Sequence, residues 1–318
     1  VNGPEEVFVE TEGRIRRWEK SFESREQLLE LIRQIVSRVN RTVNTASPIV
    51  DARLEDGSRV HVVLEPVALN GPILTIRKFP DPITMDRLLE YGSVTREAAD
   101  LLKTLAAARY NIFVSGGTGA GKTTFLNALS EFIPPEERVI TIEDSAELKL
   151  AHIENLVRLE TRNANGEGQG AIGIGMLIRA ALRMRPDRIV IGEVRGQEAV
   201  DLLQAMNTGH DGSFCTGHAN SCRDMLARLE TMVLMGMELP LPAIRSQIAS
   251  ALDVMVHVAR MRNRSRKVTA IEEVVGIENG EIVLRPLFSL DGEGELRKAG
   301  DLRCQEKLRR AELLRIRS

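Results

Sequence analysis

The amino-acid sequence predicts an α/β domain with a mostly parallel sheet, preceded by a smaller α+β domain. Three observations lead to this prediction. After about residue 110, short apolar runs alternate with segments of helical spacing, which is typical of parallel strands covered by helices. Before residue 79, strand and hairpin patterns surround one helix. Residues 79–82 read Phe-Pro-Asp-Pro, and because neither proline can donate a backbone hydrogen bond, this stretch favours an interdomain linker.

The predicted boundaries are residues 1–79 for the first domain, 80–97 for the linker and 98–318 for the second domain. A chain of 318 residues is long enough for two domains. Hydrophobic residues make up 43% and charged residues 28%, as is usual for soluble globular proteins.

Local patterns define the elements of the first domain. In order they are a hairpin over 7–15 closed near Gly13, a helix over 24–40, a hairpin over 51–63 and a strand over 73–77. Ser24 is a suitable helix cap, with Gln27 three residues later. Asp56-Gly57 lies between alternating runs, and an Asp-Gly turn in that setting is a strong hairpin signal.

A predicted helix over about residues 95–109 leads from the linker into the alternating pattern of the second domain. The apolar runs predicted as strands are 112–114, 139–142, 156–159, 189–191 and 214–216.

Composition excludes several classes of protein. The net charge of −2 and the 3% aromatic content argue against stable nucleic-acid binding. The three cysteines, Cys215, Cys222 and Cys304, form no C-x-x-C pair, which favours a reduced cytoplasmic setting without a zinc site. No apolar run approaches the roughly 18 residues of a membrane helix. The chain begins at Val1, so a docking or targeting segment upstream is left open.

The strongest motif is a phosphate-binding loop. Residues 116–123 fit G-x-x-x-x-G-K-[ST] between an apolar strand and a helical pattern. Glycines allow the loop amides to turn inward around a phosphate, Lys122 can reach the β- and γ-phosphates, and the Thr123 hydroxyl can bind Mg²⁺. The alternative is a glycine-rich turn without a ligand. The residues assigned to nucleotide binding are Gly116, Gly117, Thr118, Gly119, Ala120, Gly121, Lys122, Thr123 and Thr124.

Hydrolysis also requires carboxylates, and two candidates follow apolar strands. Glu193 follows the run 188–192, as in a Walker B strand, and Glu143 follows 140–142 with Asp144 beside it. In a sheet with this topology such strand ends lie next to the nucleotide. The alternative for each acidic residue is a solvated loop or a helix cap.

Together these motifs resemble the secretion and type IV pilus traffic ATPases. The family's sequence boxes occur here in order, with a Walker A loop at 116–123, an aspartate box at 141–144, a Walker B end at 192–196 and a histidine box at 208–221. The resemblance covers nearly the whole chain. Segments 51–60 and 75–79 look most like the CpaF/TadA branch that serves Tad (Flp) pili, and the cysteines cannot form the four-cysteine insert of other branches.

This resemblance implies a RecA-like second domain and a role for each matching residue. Glu143 would be the general base, Glu193 would support Mg²⁺, and Lys122 would bind phosphate. His210 and His218 would sense the γ-phosphate, and Arg59 and Arg77 would act as arginine fingers from the first domain. The alternatives are ordinary polar loop residues for the histidines and salt-bridged surface residues for the arginines.

The resemblance further implies a homo-hexameric, ATP- and Mg²⁺-dependent motor. It would be cytoplasmic, peripheral at the inner membrane, and would act with inner-membrane platform proteins of a pilus or secretion machine. Three alternatives remain: a type IV secretion or conjugation ATPase, a nucleotide-dependent switch with little turnover, and a DNA translocase. Of two basic stretches, 260–267 is predicted to be a solvated hairpin loop, and 303–317 an amphipathic helix that is solvated, packs on a subunit or meets lipid.

Overall fold

A computed structural model describes residues 1–11, 14–39, 41–78, 82–162 and 170–312. The chain divides into two compact units, Val1–Asp81 and Pro82–Ser318. Each unit has its own buried hydrophobic core. The predicted fold class, an α/β domain preceded by a smaller α+β domain, is confirmed.

The first unit contains five strands and one helix among its described residues. They are β1 Phe8–Thr11, β2 Arg14–Arg17, α1 Arg25–Ser37, β3 Ile49–Arg53, β4 Arg59–Val63 and β5 Ile73–Arg77. The Ser24 hydroxyl caps α1 by accepting a hydrogen bond from the Gln27 amide at 3.1 Å. β1 and β2 pair as predicted, whereas the turn at residues 12–13 lies outside the described residues.

The antiparallel sheet β3-β4-β5 packs one face against α1. Buried side chains alternate along β4, with Val60 and Val62 in the core beside Leu28 and Ile32 of α1. Because side chains alternate between the two faces of a strand, the residues between them lie on the other face. On that face Arg59 pairs in register with Arg53 on one side and Arg77 on the other.

The second unit alternates strands and helices and ends in a run of antiparallel strands. Its helices are α2 Met85–Glu90, α3 Arg96–Ala107, α4 Lys122–Ser130, α5 Ile174–Ala181, α6 Ala199–Asn207, α7 Cys222–Gly236, α8 Leu241–Ala251 and α9 Glu306–Arg310. Its strands are β6 Ile112–Gly116, β7 Arg138–Glu143, β8 Asn155–Glu160, β9 Arg188–Ile191, β10 Phe214–His218, β11 Val254–Arg260, β12 Arg266–Glu278, β13 Glu281–Leu290 and β14 Leu296–Lys298. A 3₁₀ turn spans Leu182–Met184.

The stretch predicted to be a linker, 80–97, contains a helix of the second unit. Met85 and Leu88 of α2 are buried in that unit's core, and the Met85 amide donates to the Glu131 carboxylate at 2.9 Å. Burial of these apolar side chains places α2 in the second unit, which corrects the predicted linker. Residues 79–81 lie outside the described part of the chain.

The main sheet has the strand order β14-β13-β12-β11-β6-β10-β9-β7-β8. The strands from β8 to β11 are parallel, and all five predicted strands of this domain lie among them. The strands from β11 to β14 are antiparallel, and of this extension the sequence analysis predicted only the hairpin around residues 260–267. Helices cover both faces, so Ile112 and Phe113 enter different cores. Because β6, β7, β9 and β10 are parallel, their carboxyl ends meet at one sheet edge.

The opposite, amino-terminal edge holds the end of the described chain. We call residues 302–310 the C-terminal clasp. Lys307 Nζ lies 2.6 Å from a carboxylate oxygen of Asp211 and 2.6 Å from one of Asp253. The Tyr110 hydroxyl donates to the Cys304 carbonyl at 2.5 Å, and the Cys304 amide donates to Glu273 at 2.6 Å.

Within the described residues, the amphipathic helix predicted over 303–317 is a short helix inside the clasp. The observed helix spans only Glu306–Arg310, and residues 313–318 lie outside the described chain. Leu308 of this helix is buried in the core of its own unit, so its apolar side chain is not available to a partner or to lipid. Among the described residues, none of the helices combines the length and apolarity needed to cross a bilayer.

Candidate nucleotide-binding and hydrolysis site

The predicted phosphate-binding loop connects β6 to α4 at the carboxyl-terminal edge of the sheet. Gly119 and Gly121 have φ values of +70° and +93°, a backbone region that favours glycine. A Cβ atom at Gly116 would lie 2.4 Å from the carbonyl oxygen of Val258 on β11. The loop therefore requires glycine both for its backbone conformation and for its close approach to the neighbouring strand.

The loop leads into the amino terminus of α4. Gly121 is the N-cap, and no side chain among the described residues caps this helix. The first amides of a helix lack partners within the helix, and the helix dipole favours negative charge at this end. This arrangement fits an anionic phosphate group.

Lys122, the first residue of α4, is mostly buried and contacts both the loop and β10. Its Nζ atom donates to the Gly117 carbonyl at 3.2 Å and lies 3.2 and 3.3 Å from the two ring nitrogens of His218. Burial lowers the pKa of Lys122, and burial together with the nearby cations lowers that of His218. A neutral imidazole has an acceptor nitrogen, so His218 can accept a hydrogen bond from the Lys122 ammonium.

A chain of ionic contacts continues from His218. The Nε2 atom of His218 lies 2.7 Å from Oε1 of Glu193. The geometry of this contact is not that of a hydrogen bond, and Oε1 accepts no hydrogen bond from any described residue. The second oxygen of Glu193 accepts from Arg195 at 2.6 Å. The Arg195 guanidinium also lies 3.1 Å from Asp144. Arg195 therefore joins the two acidic motifs that the sequence analysis treated separately.

Glu143, the last residue of β7, is only 2% exposed. Its Oε1 atom accepts hydrogen bonds from the amides of Glu147 and Leu148 at 2.8 and 3.0 Å. Its Oε2 atom is also buried but has no hydrogen-bond partner among the described residues. Burial raises the pKa of Glu143 to about 7. One oxygen is thus held in place while the other can accept a proton near neutral pH, as a general base requires.

Gly192 allows this carboxylate to approach the end of β9. A Cβ atom at Gly192 would lie 3.0 Å from Cγ of Glu143, which is closer than almost all real Cβ contacts. The Thr216 hydroxyl donates to the Gly192 carbonyl at 2.6 Å and ties β9 to β10. Gly192 therefore provides the space that Glu143 occupies.

The residues around the loop also fit a magnesium ion bound together with a nucleotide. Thr123 is the second residue of α4 and is partly exposed next to the loop, and Glu193 lies at the same sheet edge. The described residues contain no cluster of three or more acidic, His or Cys side chains that could hold a metal alone. Mg²⁺ is usually bound by one or two protein ligands together with substrate phosphates, and the Thr123 hydroxyl and the Glu193 carboxylate fit this pattern.

The structure does not bring His210 to this site. His210 precedes β10, whereas the phosphate loop follows the parallel strand β6, so the two lie at opposite edges of the sheet. The ring of His210 instead contacts the Ala205 carbonyl at 3.2 Å. The motif gives the spacing of the two histidines but not the edge on which each lies, and a role of His210 in sensing the γ-phosphate stays a prediction.

Arg59 and Arg77 belong to the first unit and are not among the residues of the second unit that build this site. Within their own sheet they are direct cross-strand neighbours. Their contact with a nucleotide stays a prediction.

Two arginines at the site were not predicted. Arg195 lies in the Walker B box, where its position directly after Glu193-Val194 was an available signal. Arg266 lies in the basic stretch 260–267 that was predicted to be a solvated loop. Its Nε atom instead donates to the Gly119 carbonyl of the phosphate loop at 3.1 Å. No local sequence pattern predicts this contact.

Comparison with known proteins agrees with this geometry. The family model described as "Type II/IV secretion system protein" matches residues 1–287. A putative conjugal transfer protein of Mycobacterium tuberculosis is 41% identical over 279 residues, which covers 85% of this chain and 78% of the relative.

Two solved structures are also similar. The VirB11 ATPase of the Brucella suis type IV secretion system has 30% identity and a TM-score of 0.50, over 86% of this chain and 90% of that one. The Legionella pneumophila ATPase DotB has a TM-score of 0.60 at 20% identity, over 87% of this chain and 76% of that one, and its likeness concerns the fold alone.

Proposed function

The chain belongs to the type II/IV secretion system protein family and is an ATPase, and we propose that it is the hexameric motor for assembly of a Tad (Flp) pilus or for secretion at the inner membrane. The observation that carries the hydrolytic part of this proposal is the placement of Glu143. This buried carboxylate, with one oxygen without a partner among the described residues, lies at the sheet edge where the phosphate loop holds Lys122. The Tad part is supported by the resemblance of segments 51–60 and 75–79.

In this proposal the phosphates of ATP bind to the amides of the loop 116–121 and of the first turn of α4. Lys122 contributes a positive charge from the same turn. A phosphate oxygen would replace the His218 ring as the partner of Lys122, because it is a stronger acceptor than a neutral imidazole. Nucleotide binding would therefore separate Lys122 from His218.

Glu143 would position the attacking water and take up its proton. The amides of Glu147 and Leu148 fix one oxygen, so the other can face the water without a change of rotamer. A pKa of about 7 keeps a large fraction of this side chain ionised at neutral pH while leaving it basic enough to accept a proton.

Mg²⁺ would be held by the Thr123 hydroxyl with Glu193 behind it, and would neutralise charge on the β- and γ-phosphate oxygens. Arg195 holds one oxygen of Glu193, so the carboxylate keeps a fixed direction. The contacts from Lys122 through His218 and Glu193 to Arg195 and Asp144 would connect the state of the phosphate to the aspartate box. A ligand shifts such an arrangement only through contacts that differ between two states, and the Lys122–His218 contact is one of them.

The test is phosphate release by the purified protein and by Lys122→Ala, Glu143→Gln and Glu193→Gln. We expect release by the parent and at least a hundredfold loss in each variant, since removing one such group commonly costs that much. Glu143→Gln should retain ATP binding, whereas Lys122→Ala should lose it. Tight ATP binding by the parent without steady phosphate release would favour the nucleotide-dependent switch instead.

A type IV secretion or conjugation ATPase is a second candidate, supported by the names of the Mycobacterium and Brucella relatives. The two candidates differ in the process that fails when the gene is deleted. Loss of surface pili with normal plasmid transfer would support the pilus motor, and the reverse would support the conjugation ATPase. Complementation with the Lys122→Ala variant controls for effects of the deletion unrelated to ATP.

A further inference from the structure

The basic hairpin between β11 and β12 lies directly beside the phosphate loop. β11 runs parallel to β6, and Val258 is in register with Gly116, the residue at which the loop starts. The chain then continues past the loop, turns at residues 261–265 and returns along β12. The turn is closed by a hydrogen bond from the Met261 amide to the Ser265 carbonyl at 2.8 Å. The pairing of β11 with β6 therefore places the hairpin next to the phosphate loop.

The hairpin contacts the loop through Arg266. Its Nε atom donates to the Gly119 carbonyl at 3.1 Å, and its Cδ atom would be 3.3 Å from a Cβ atom at Gly121. The aliphatic part of Arg266 therefore covers one glycine with positive φ while its guanidinium fixes the carbonyl of another. Within the described part of the chain, Nε is the only nitrogen of this guanidinium with a hydrogen-bond partner.

The charge of the hairpin is uncompensated in the parts of the chain that the structure describes. Its four arginines, Arg260, Arg262, Arg264 and Arg266, take part in no ion pair there, whereas Lys267 pairs with Glu295 at 3.0 Å. Arg260 and Arg266 are direct cross-strand partners. Like charges in that position repel each other, and an anion beside them would relieve the repulsion.

We propose that Arg266 is a positioning residue of the nucleotide site, which holds the phosphate loop in its binding conformation and adds a positive charge for the polyphosphate of ATP. This inference rests on the proposed nucleotide site and extends it to a hairpin outside the four motif boxes. A carbonyl held by Arg266 cannot turn toward the phosphates, where its negative end would oppose binding. The other nitrogens of the guanidinium remain able to donate to an anion.

The test compares ATP and ADP binding and steady-state hydrolysis in the parent, Arg266→Met and Arg266→Lys. Methionine keeps the aliphatic stem over Gly121 but removes the donors and the charge, whereas lysine keeps the charge and one donor group. Arg262→Met removes a charge from the same hairpin without touching the loop and is the matched control. Lys122→Ala defines the loss expected when the nucleotide site itself fails.

We expect Arg266→Met to weaken both ATP and ADP binding about tenfold, the size of one charge-assisted hydrogen bond, because this arginine contacts the phosphate loop directly. The KM for ATP should rise, whereas kcat should stay within about twofold of the parent value because Glu143 and Glu193 are unchanged. Arg266→Lys should recover at least half of the lost affinity on a logarithmic scale. Arg262→Met should stay within about twofold of the parent, because among the described residues this side chain has no contact with the phosphate loop and its exposed charge is screened by salt.

Two results would overturn the role of Arg266 while leaving the nucleotide site intact. One is unchanged KM in Arg266→Met when Lys122→Ala has lost binding. The other is Arg266→Lys binding no better than Arg266→Met, since the charge would then contribute nothing. A fall in kcat at constant KM would indicate a smaller folded fraction and would equally contradict the proposal. If Lys122→Ala binds ATP as tightly as the parent does, the proposed nucleotide site itself is contradicted.

Discussion

At the residue scale, the buried position that suits Glu143 to its proposed role as general base also has a cost to stability. An ionised carboxylate that is almost fully buried is poorly solvated, which raises its pKa from the ordinary 4.5 to about 7. The folded protein therefore holds this proton more tightly than the unfolded chain does. The stability that the protonated form contributes is fully present below pH 4.5 and is lost as the pH rises through 7, by about 3 kcal/mol in total.

Glu143→Gln should accordingly stabilise the protein at alkaline pH while removing its activity. The neutral amide keeps an acceptor oxygen for the amides of Glu147 and Leu148. Relative to the parent, its free energy of unfolding should rise by about 2 kcal/mol between pH 5 and pH 8. Urea unfolding at both pH values measures this change. Glu154→Gln, an exposed substitution on the same domain, is the control, and equal pH dependence in both variants would contradict a buried Glu143.

Gly192→Ala should displace Glu143 without unfolding the site. The added methyl group would meet Cγ of Glu143 at 3.0 Å, and a side chain can move where a backbone cannot. We expect kcat to fall about tenfold, since small displacements of a catalytic group are costly. ATP affinity should hardly change. Gly173→Ala is the matched control because a Cβ atom there has no neighbour within 4 Å, and a similar loss in this variant would argue against displacement.

At the element scale, the C-terminal clasp closes the sheet edge opposite the phosphate loop. Lys307 bridges Asp211, which precedes β10, and Asp253, which precedes β11. Lys307 and Asp253 are each only 21% exposed at their side chains, so the pair is well shielded from water. Burial raises the pKa of Asp253, and Lys307 opposes that rise.

Lys307→Met should destabilise the protein by about 2 kcal/mol, because it leaves two carboxylates without their cation, one of them mostly buried. The midpoint of urea unfolding measures the loss. Lys298→Met removes an exposed pair with Asp301 and should change the midpoint little. If the two variants lose equal stability, the clasp is no more than a surface contact.

The elements that could be predicted are those with a local signal. The phosphate loop, Ser24 as a cap and the five parallel strands each follow from a few consecutive residues. Helix α2 was predicted as linker because its six residues are too short for a clear helical period. The clasp depends on contacts such as that between Tyr110 and Cys304, 194 residues apart, which no local pattern contains. For the same reason the sequence analysis did not find Arg266 and did not foresee that His210 and His218 lie at opposite edges of the sheet.

At the scale of the whole molecule, the chain consists of two units with separate cores, and the predicted arginine fingers lie on one while the phosphate loop lies on the other. A motor of the proposed kind would assemble as a ring of six. Six chains of 35.3 kDa give a mass of about 212 kDa. We expect this species to dominate with ATP and Mg²⁺ at high protein concentration.

Light scattering coupled to gel filtration measures that mass directly. The Glu143→Gln variant is useful here, because it should bind ATP without consuming it. A mass that stays near 35.3 kDa under these conditions would contradict the hexamer. It would leave the ATPase site of the single chain untouched.

The clasp also determines where the molecule can carry a reporter. Cys215 and Cys222 are buried, whereas Cys304 is exposed, so a maleimide dye should attach to this chain at Cys304. Partial burial raises the pKa of the Cys304 thiol, which makes mildly alkaline buffer the better choice for coupling. The dye would lie at the sheet edge opposite the phosphate loop, separated from it by the length of β6, about 16 Å. Fluorescence from this position could follow single particles during turnover with the nucleotide pocket unobstructed.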